Sequence, residues 1–197
     1  MTIKARCKDF CRRLRTDANK GSAAIEFAMV APVFFVLLMG TMEAGIMFYA
    51  QSALQNSLND TARLVRTGQS GCYTQAGNGT CIPMTSAQFK TKLCSQVTTL
   101  LQNCSGGDLQ FDVTAYPSGF GGAANTPPLD AGKNLTPLTA FNVGNACDVV
   151  LVRAFYKWPV FTPALSYFLS NMAGSYHLIS TAAAFRNEPY TTTTGGC

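Results

Sequence analysis

Few side chains in this sequence could carry out covalent chemistry. The one histidine, His177, sits in an alternating β-rich stretch, where a structural imidazole is the better expectation than a catalytic one. No G-x-S-x-G, H-E-x-x-H, Walker A or G-x-G-x-x-G pattern occurs. The glycines of residues 118–122 precede a proline-rich stretch and no helix start, which argues against a phosphate cradle. The reading is therefore non-enzymatic, with no catalytic residue, cofactor or metal.

Cysteine is the exception, with eight copies. Cys7 and Cys11 lie in a basic N-terminal stretch, and their i, i+4 spacing is insufficient for a metal site without further ligands. The other six are Cys72, Cys81, Cys94, Cys104, Cys147 and Cys197. An even number in one segment suggests disulfides, although six cysteines allow 15 pairings. Local pairs are favoured. Cys72 and Cys81 flank the glycine-rich turn YTQAGNGT, and Cys94 and Cys104 enclose the end of a helical segment, which leaves Cys147 with Cys197. Zinc is the rival, but there is no C-x-x-C pair and only His177 to help.

These residues are positioned by a strongly asymmetric chain. Charged residues are 13% of the sequence and apolar ones 47%. Residues 1–21 hold seven basic side chains (Lys4, Arg6, Lys8, Arg12, Arg13, Arg15, Lys20) against Asp9 and Asp17, which accounts for the whole net charge of +5. A nucleic-acid binder would carry its basic surface on the folded part, so no nucleic-acid partner is expected. The basic stretch instead precedes the apolar run Ser22–Met42, where the positive-inside rule places cytoplasmic charge. As a helix that run would be about 31 Å long, matching a hydrocarbon core of about 30 Å. A cleaved secretory signal competes, but the run is long for one and no clear A-x-A site follows it. The helix pattern also continues past the run. Ala50, Leu54, Leu58, Ala62 and Val65 recur on one face and Gln51, Gln55, Asn59, Arg63 and Arg66 on another, with a stop at Gly68. One helix is predicted over about 23–67, lipid-soluble first and amphipathic second.

Glu26 is the only charge in the apolar run. Lys20, Gly21, Ser22 and Glu26 make the pattern read by type IV prepilin peptidases: a basic leader, Gly at −1, a small residue at +1, Glu at +5, then apolar sequence. Cutting after Gly21 would free the amine of Ser22 in an apolar setting, where an unpaired ammonium and an unpaired Glu26 carboxylate are both costly. Axially shifted helices could pair the two between neighbouring chains and so set register. The plainer alternative is an ordinary helix start, with Ser22 as N-cap and Glu26 in the first turn.

At this point the segment GSAAIEFAMVAPVFFVLLMGTMEAGIMFYAQSALQNSLNDTARLVRTG resembles the start of the TadE-like pseudopilins (minor pilins) of bacterial Tad (tight adherence) pilus systems. Residues 178–190, LISTAAAFRNEPY, and residues 149–165, VVLVRAFYKWPVFTPAL, are similar to that family's C-terminal part, while residues 68–146 match it loosely. The resemblance implies a type IV pilin-like component of the bacterial inner membrane, with its N-terminus cytoplasmic and its C-terminal domain periplasmic. It would be processed at Gly21–Ser22 by a prepilin peptidase and would meet other pilins, pseudopilins and the Tad assembly machinery, with incorporation in an extracellular pilus open. Gly21, Ser22 and Glu26 carry over. The family also tends to have an acid near Glu43, for which a position at the outer headgroup level is expected. In such a chain Cys7 and Cys11 face a reducing cytoplasm, and the other six cysteines an oxidising periplasm.

The exported part reads as α+β: a helix over 85–103 with Ser86 as N-cap, a strand over 109–116, a long loop over 117–145, a strand over 148–158, a short apolar helix within 159–171 and a last strand over 177–185. The sheet would be antiparallel and lie on the outer half of the long helix. The expected division is a leader (1–21), the membrane-spanning and amphipathic helix (22–67) and a periplasmic domain (68–197). The alternative function is an uncleaved, single-pass, membrane-anchored binding or scaffold domain.

Overall fold

The computed structural model describes residues 3–120 and 127–190, with side chains from Ser22 onward. Cys197 and the side chains of Cys7 and Cys11 lie outside the described residues. The chain divides into two compact units, residues 1–43 and 44–197.

Helix α1 runs from Ile3 to Arg66. It starts well before the expected residue 23, because residues 3–20 contain no proline or glycine and are rich in Lys and Arg, both good helix formers. Pro32 lies inside the helix without ending it. Arg63 and Arg66 fall in the last turn, where they complement the helix dipole. The end is a glycine cap. Gly68 has φ +74°, Thr67 N–H donates to Arg63 O and Ser70 N–H to Leu64 O. A Cβ at Gly68 would also fall 2.4 Å from Cγ of Tyr190, so this position needs glycine for both conformation and space.

In the first unit the described side chains are mostly exposed, including Phe27, Val30, Val33 and Leu37. In the second unit the opposite holds. Ala50, Leu54, Leu58, Ala62 and Val65 are all at most 3% exposed, the face expected from their spacing.

The partner of that face is a three-stranded antiparallel sheet of β3 (Leu109–Tyr116), β4 (Val149–Pro159) and β5 (Tyr176–Arg186), with β4 central. Register puts Val113 opposite Val152 and Val152 opposite Ala183, so side chains at alternate positions form continuous rows across the sheet. Leu109, Phe111, Val113, Val150, Val152, Ala154, Tyr156, Trp158 and Ile179 make up the buried row. Packing one apolar sheet face on one helix stripe gives both a dry partner.

Between α1 and β3 lie a two-residue hairpin, β1 (Thr74–Gln75) with β2 (Cys81–Ile82), and helix α2 (Ser86–Ser95). Two expectations for α2 are corrected. Its N-cap is Thr85, in a reciprocal capping box with Gln88, and not Ser86. It ends at Ser95 and not near residue 103. Val97, Thr98 and Thr99 are poor helix formers, and the backbone tightens to bonds such as Val97 N–H to Cys94 O. Val97 and Leu101 nevertheless stay buried, as the helical pattern suggested. The loop before β4 supplies an extra pairing to β3, with Val113 N–H donating to Ala140 O and Asn142 N–H to Val113 O. Helix α3 (Pro163–Leu169) links β4 to β5, and none of its residues is buried.

Candidate processing and assembly site

Gly21 lies within the backbone of α1, so the Gly21–Ser22 peptide is helical. Ser22 and Glu26 are one turn apart on one face, and the Ser22 hydroxyl donates to Glu26 Oε1 at 3.2 Å. Around them Ile25, Phe27, Met29 and Val30 are 61–73% exposed. No basic residue occurs in the sequence between Lys20 and Arg63. Among the described residues, therefore, Glu26 has a hydroxyl for company but no cation.

Glu43 is buried, 5% exposed. Its spacing from Glu26 did not signal that burial.

The cysteines are paired as the local reading had it. Cys72–Cys81 and Cys94–Cys104 are disulfides closing loops of nine and ten residues' separation. Cys147 is also disulfide-bonded. Cys197, its expected mate, lies outside the described residues. The first pair locks the β1–β2 hairpin. The second ties the end of α2 to the turn before β3, where Asn103 adopts φ +55° and Leu101 and Cys104 join the core.

Elsewhere the polar groups are structural. Asp112 and Arg153 face each other across β3 and β4, joined by two 2.9 Å contacts, with side chains only 5% and 11% exposed. Sequence reasoning missed this pair, because Asp112 sits inside an alternating strand whose other face drew the attention. A surface cleft of about 340 Å³ holds Asp112, but the carboxylate is engaged by Arg153. His177 is half-buried, and its Nδ1 lies 2.6 Å from Leu169 O, a link between β5 and α3. The Tyr156 hydroxyl donates to Gln102 O; burial, and secondarily the Asp108 charge, push its pKa up to about 12. Trp158 is buried in the core with Tyr156 at its edge. The described residues bring together no cluster of metal-ligating side chains.

A helix that is apolar over a full bilayer width and exposed along that width is suited to lipid, and the chain is a single-pass, membrane-anchored protein. Residues 21–63 match the family described as TadE-like protein. The resemblance drawn from the start of the sequence is thereby borne out over those residues. The match ends before the C-terminal strands that the sequence likened to the same family. No curated protein and no solved structure matches the chain.

Proposed function

We propose that this membrane-anchored chain with a TadE-like segment is a minor pilin or pseudopilin of a Tad pilus system, made as a precursor and cut between Gly21 and Ser22. It acts as a structural component and not as an enzyme. The observation that carries this reading is the TadE-like match over residues 21–63, which starts at the proposed cut and takes in Glu26 and the whole apolar run.

The local physics supports the assignment of roles. The basic stretch 1–21 holds the N-terminus in the cytoplasm, and the inner membrane takes residues 22–42. A peptidase must open the helix to reach its scissile bond. Glycine lowers helix stability by about 1 kcal/mol relative to alanine, so Gly21 eases unwinding at this bond. Once cut, Ser22 carries a new ammonium beside lipid, and Glu26 one turn away is a carboxylate without a cation among the described residues. Pairing the ammonium of one chain with Glu26 of the next relieves both costs and fixes the axial step between subunits. The domain beyond the membrane stands in the periplasm, where the disulfides persist. Its partners are the prepilin peptidase during processing, then other pilins, pseudopilins and the assembly machinery.

N-terminal sequencing of the mature protein tests the reading. A start at Ser22 is expected, and an intact Met1 would overturn it in favour of an uncleaved anchored scaffold domain. Separately, Glu26→Ala is expected to insert and be cut normally but to assemble poorly; normal assembly would remove the register role.

A further inference from the structure

Three strongly exposed aromatic side chains of the folded unit lie in the β4–β5 connection. Phe161, Tyr167 and Phe168 are 67%, 87% and 77% exposed, on α3 and the strand end before it. From Trp158 to Leu178 the sequence has no Asp, Glu, Lys or Arg. An uncharged aromatic patch of this kind is costly in water and marks a surface with a partner.

Its height in the fold identifies that partner. Two hydrogen bonds calibrate β5 against α1: Gln55 Nε2 donates to Ala182 O, and Glu188 N–H donates to Arg66 O. Eleven residues of helix therefore span the same height as six residues of strand, which fits about 1.5 Å per helical residue against about 3.3 Å per strand residue with some tilt. Six residues back from Ala182 is Tyr176, the start of β5, and eleven back from Gln55 is Ala44. The α3 segment is held at that end by Val160 N–H to Ser175 O and by His177 against Leu169 O. The apolar run ends at Met42, so the bilayer surface meets the chain within a few residues of Ala44. Phe48 and Tyr49, 71% and 67% exposed, add aromatic surface one turn further along α1.

We propose that Phe161, Tyr167 and Phe168 rest in the headgroup region of the membrane that α1 crosses, making α3 a second, interfacial contact of the folded unit with lipid. This rests on the membrane-anchored reading. Aromatic side chains favour that depth, because their rings are apolar and their edges and hydroxyls tolerate water. Lys157, whose ammonium lies 3.9 Å from the centre of the Tyr176 ring, borders the patch and can face anionic headgroups. The contact would limit swivelling of the folded unit about its anchor and keep that unit close to the membrane until the chain leaves it.

The test uses the full chain in nanodiscs of mixed phosphatidylcholine and phosphatidylglycerol, with and without bromine on the upper acyl chain. Three single variants are compared with the parent, whose Trp158 emission is the baseline: Phe168→Trp in the patch, Phe34→Trp in the apolar run, and Tyr73→Trp beyond the far end of α1. The expected result is a loss of the added emission in brominated discs by roughly twofold or more for Phe168→Trp and Phe34→Trp, with none for Tyr73→Trp, as belongs to interfacial and buried aromatic positions. Quenching of Phe34→Trp without quenching of Phe168→Trp would overturn the interfacial contact and leave the span intact. Quenching of neither would overturn both. Protection of Phe168→Trp from aqueous quencher only when two copies share a disc would assign the patch to a second copy and also overturn the proposal.

Discussion

Leu37 and Leu58 belong to one continuous helix, yet Leu37 is 64% exposed and Leu58 is fully buried. The same contrast holds for carboxylates. Glu26 stands among exposed apolar side chains with Ser22 as its hydrogen-bond donor, whereas Asp112 is buried against Arg153 through two 2.9 Å contacts. Among the described residues, the membrane segment thus has no packing partner for most of its apolar surface and no cation for Glu26. The folded unit pairs its buried Asp112 with its own Arg153 and packs Leu58 in its own core. An apolar surface of this sort is suited to a lipid solvent, and the helix continues from it into the self-packed region without a break in its backbone.

The largest test of that contrast sets Asp112→Ala against Glu26→Gln. The first removes the buried carboxylate that Arg153 pairs with and is expected to cost about 3–5 kcal/mol of unfolding free energy by denaturant titration in detergent. The second is expected to leave that value unchanged. Next, Leu58→Ala is expected to cost about 2–5 kcal/mol, and Leu37→Ala nothing, in the same titration. If both leucines mattered equally to the folded unit, the division of α1 into lipid-facing and self-packed parts would be wrong. Removing the Cys94–Cys104 disulfide with a paired Cys→Ser change is expected to cost about 3 kcal/mol, given the short loop it closes.

The smallest effect is pH-dependent. The Tyr156 phenol is raised to about 12 in the folded state from an ordinary value near 10. Its neutral form is therefore favoured by folding. The stabilisation is complete below about pH 10 and is lost as pH rises towards about 12, because the unfolded chain ionises first. Tyr156→Phe should lose about 1 kcal/mol at neutral pH through the bond to Gln102, and its stability should fall less steeply between pH 10 and 12. An identical alkaline slope in both proteins would show that Tyr156 does not carry the linkage. The Cys72–Cys81 hairpin, far simpler, offers no titration of its own.

Much of the fold could be read from spacing alone. The stripe Ala50, Leu54, Leu58, Ala62 and Val65 is a period of 3.6 carried over four turns, and the alternation Leu109, Phe111, Val113, Ala115 marks one face of β3. Both are local patterns; the helix stripe is buried throughout, whereas in β3 Ala115 is only half-buried and Asp112 on the opposite face is buried by its pairing. The capping of α2 was less legible, since Thr85 and Ser86 are both good N-caps and the choice depends on Gln88 reaching back to Thr85. The end of α2 was misjudged because Val97 and Leu101 continue the apolar pattern through a backbone that has already left the helix.

What the sequence determined by itself was the division of labour: a basic stretch, an apolar run of bilayer length bearing a lone Glu26, an amphipathic continuation, and local cysteine pairs. Each follows from residues near one another in the chain, where charge, length and periodicity act directly. Tertiary structure decided the rest. The pairing of Asp112 with Arg153 needed the β3–β4 register, and the exposure of Phe161, Tyr167 and Phe168 needed the geometry of the β4–β5 connection. Apolar composition in residues 159–171 suited a core helix as well as a surface one. Only the arrangement of strands, which closed the core without α3, left those aromatic rings facing outward at the level of Ala44.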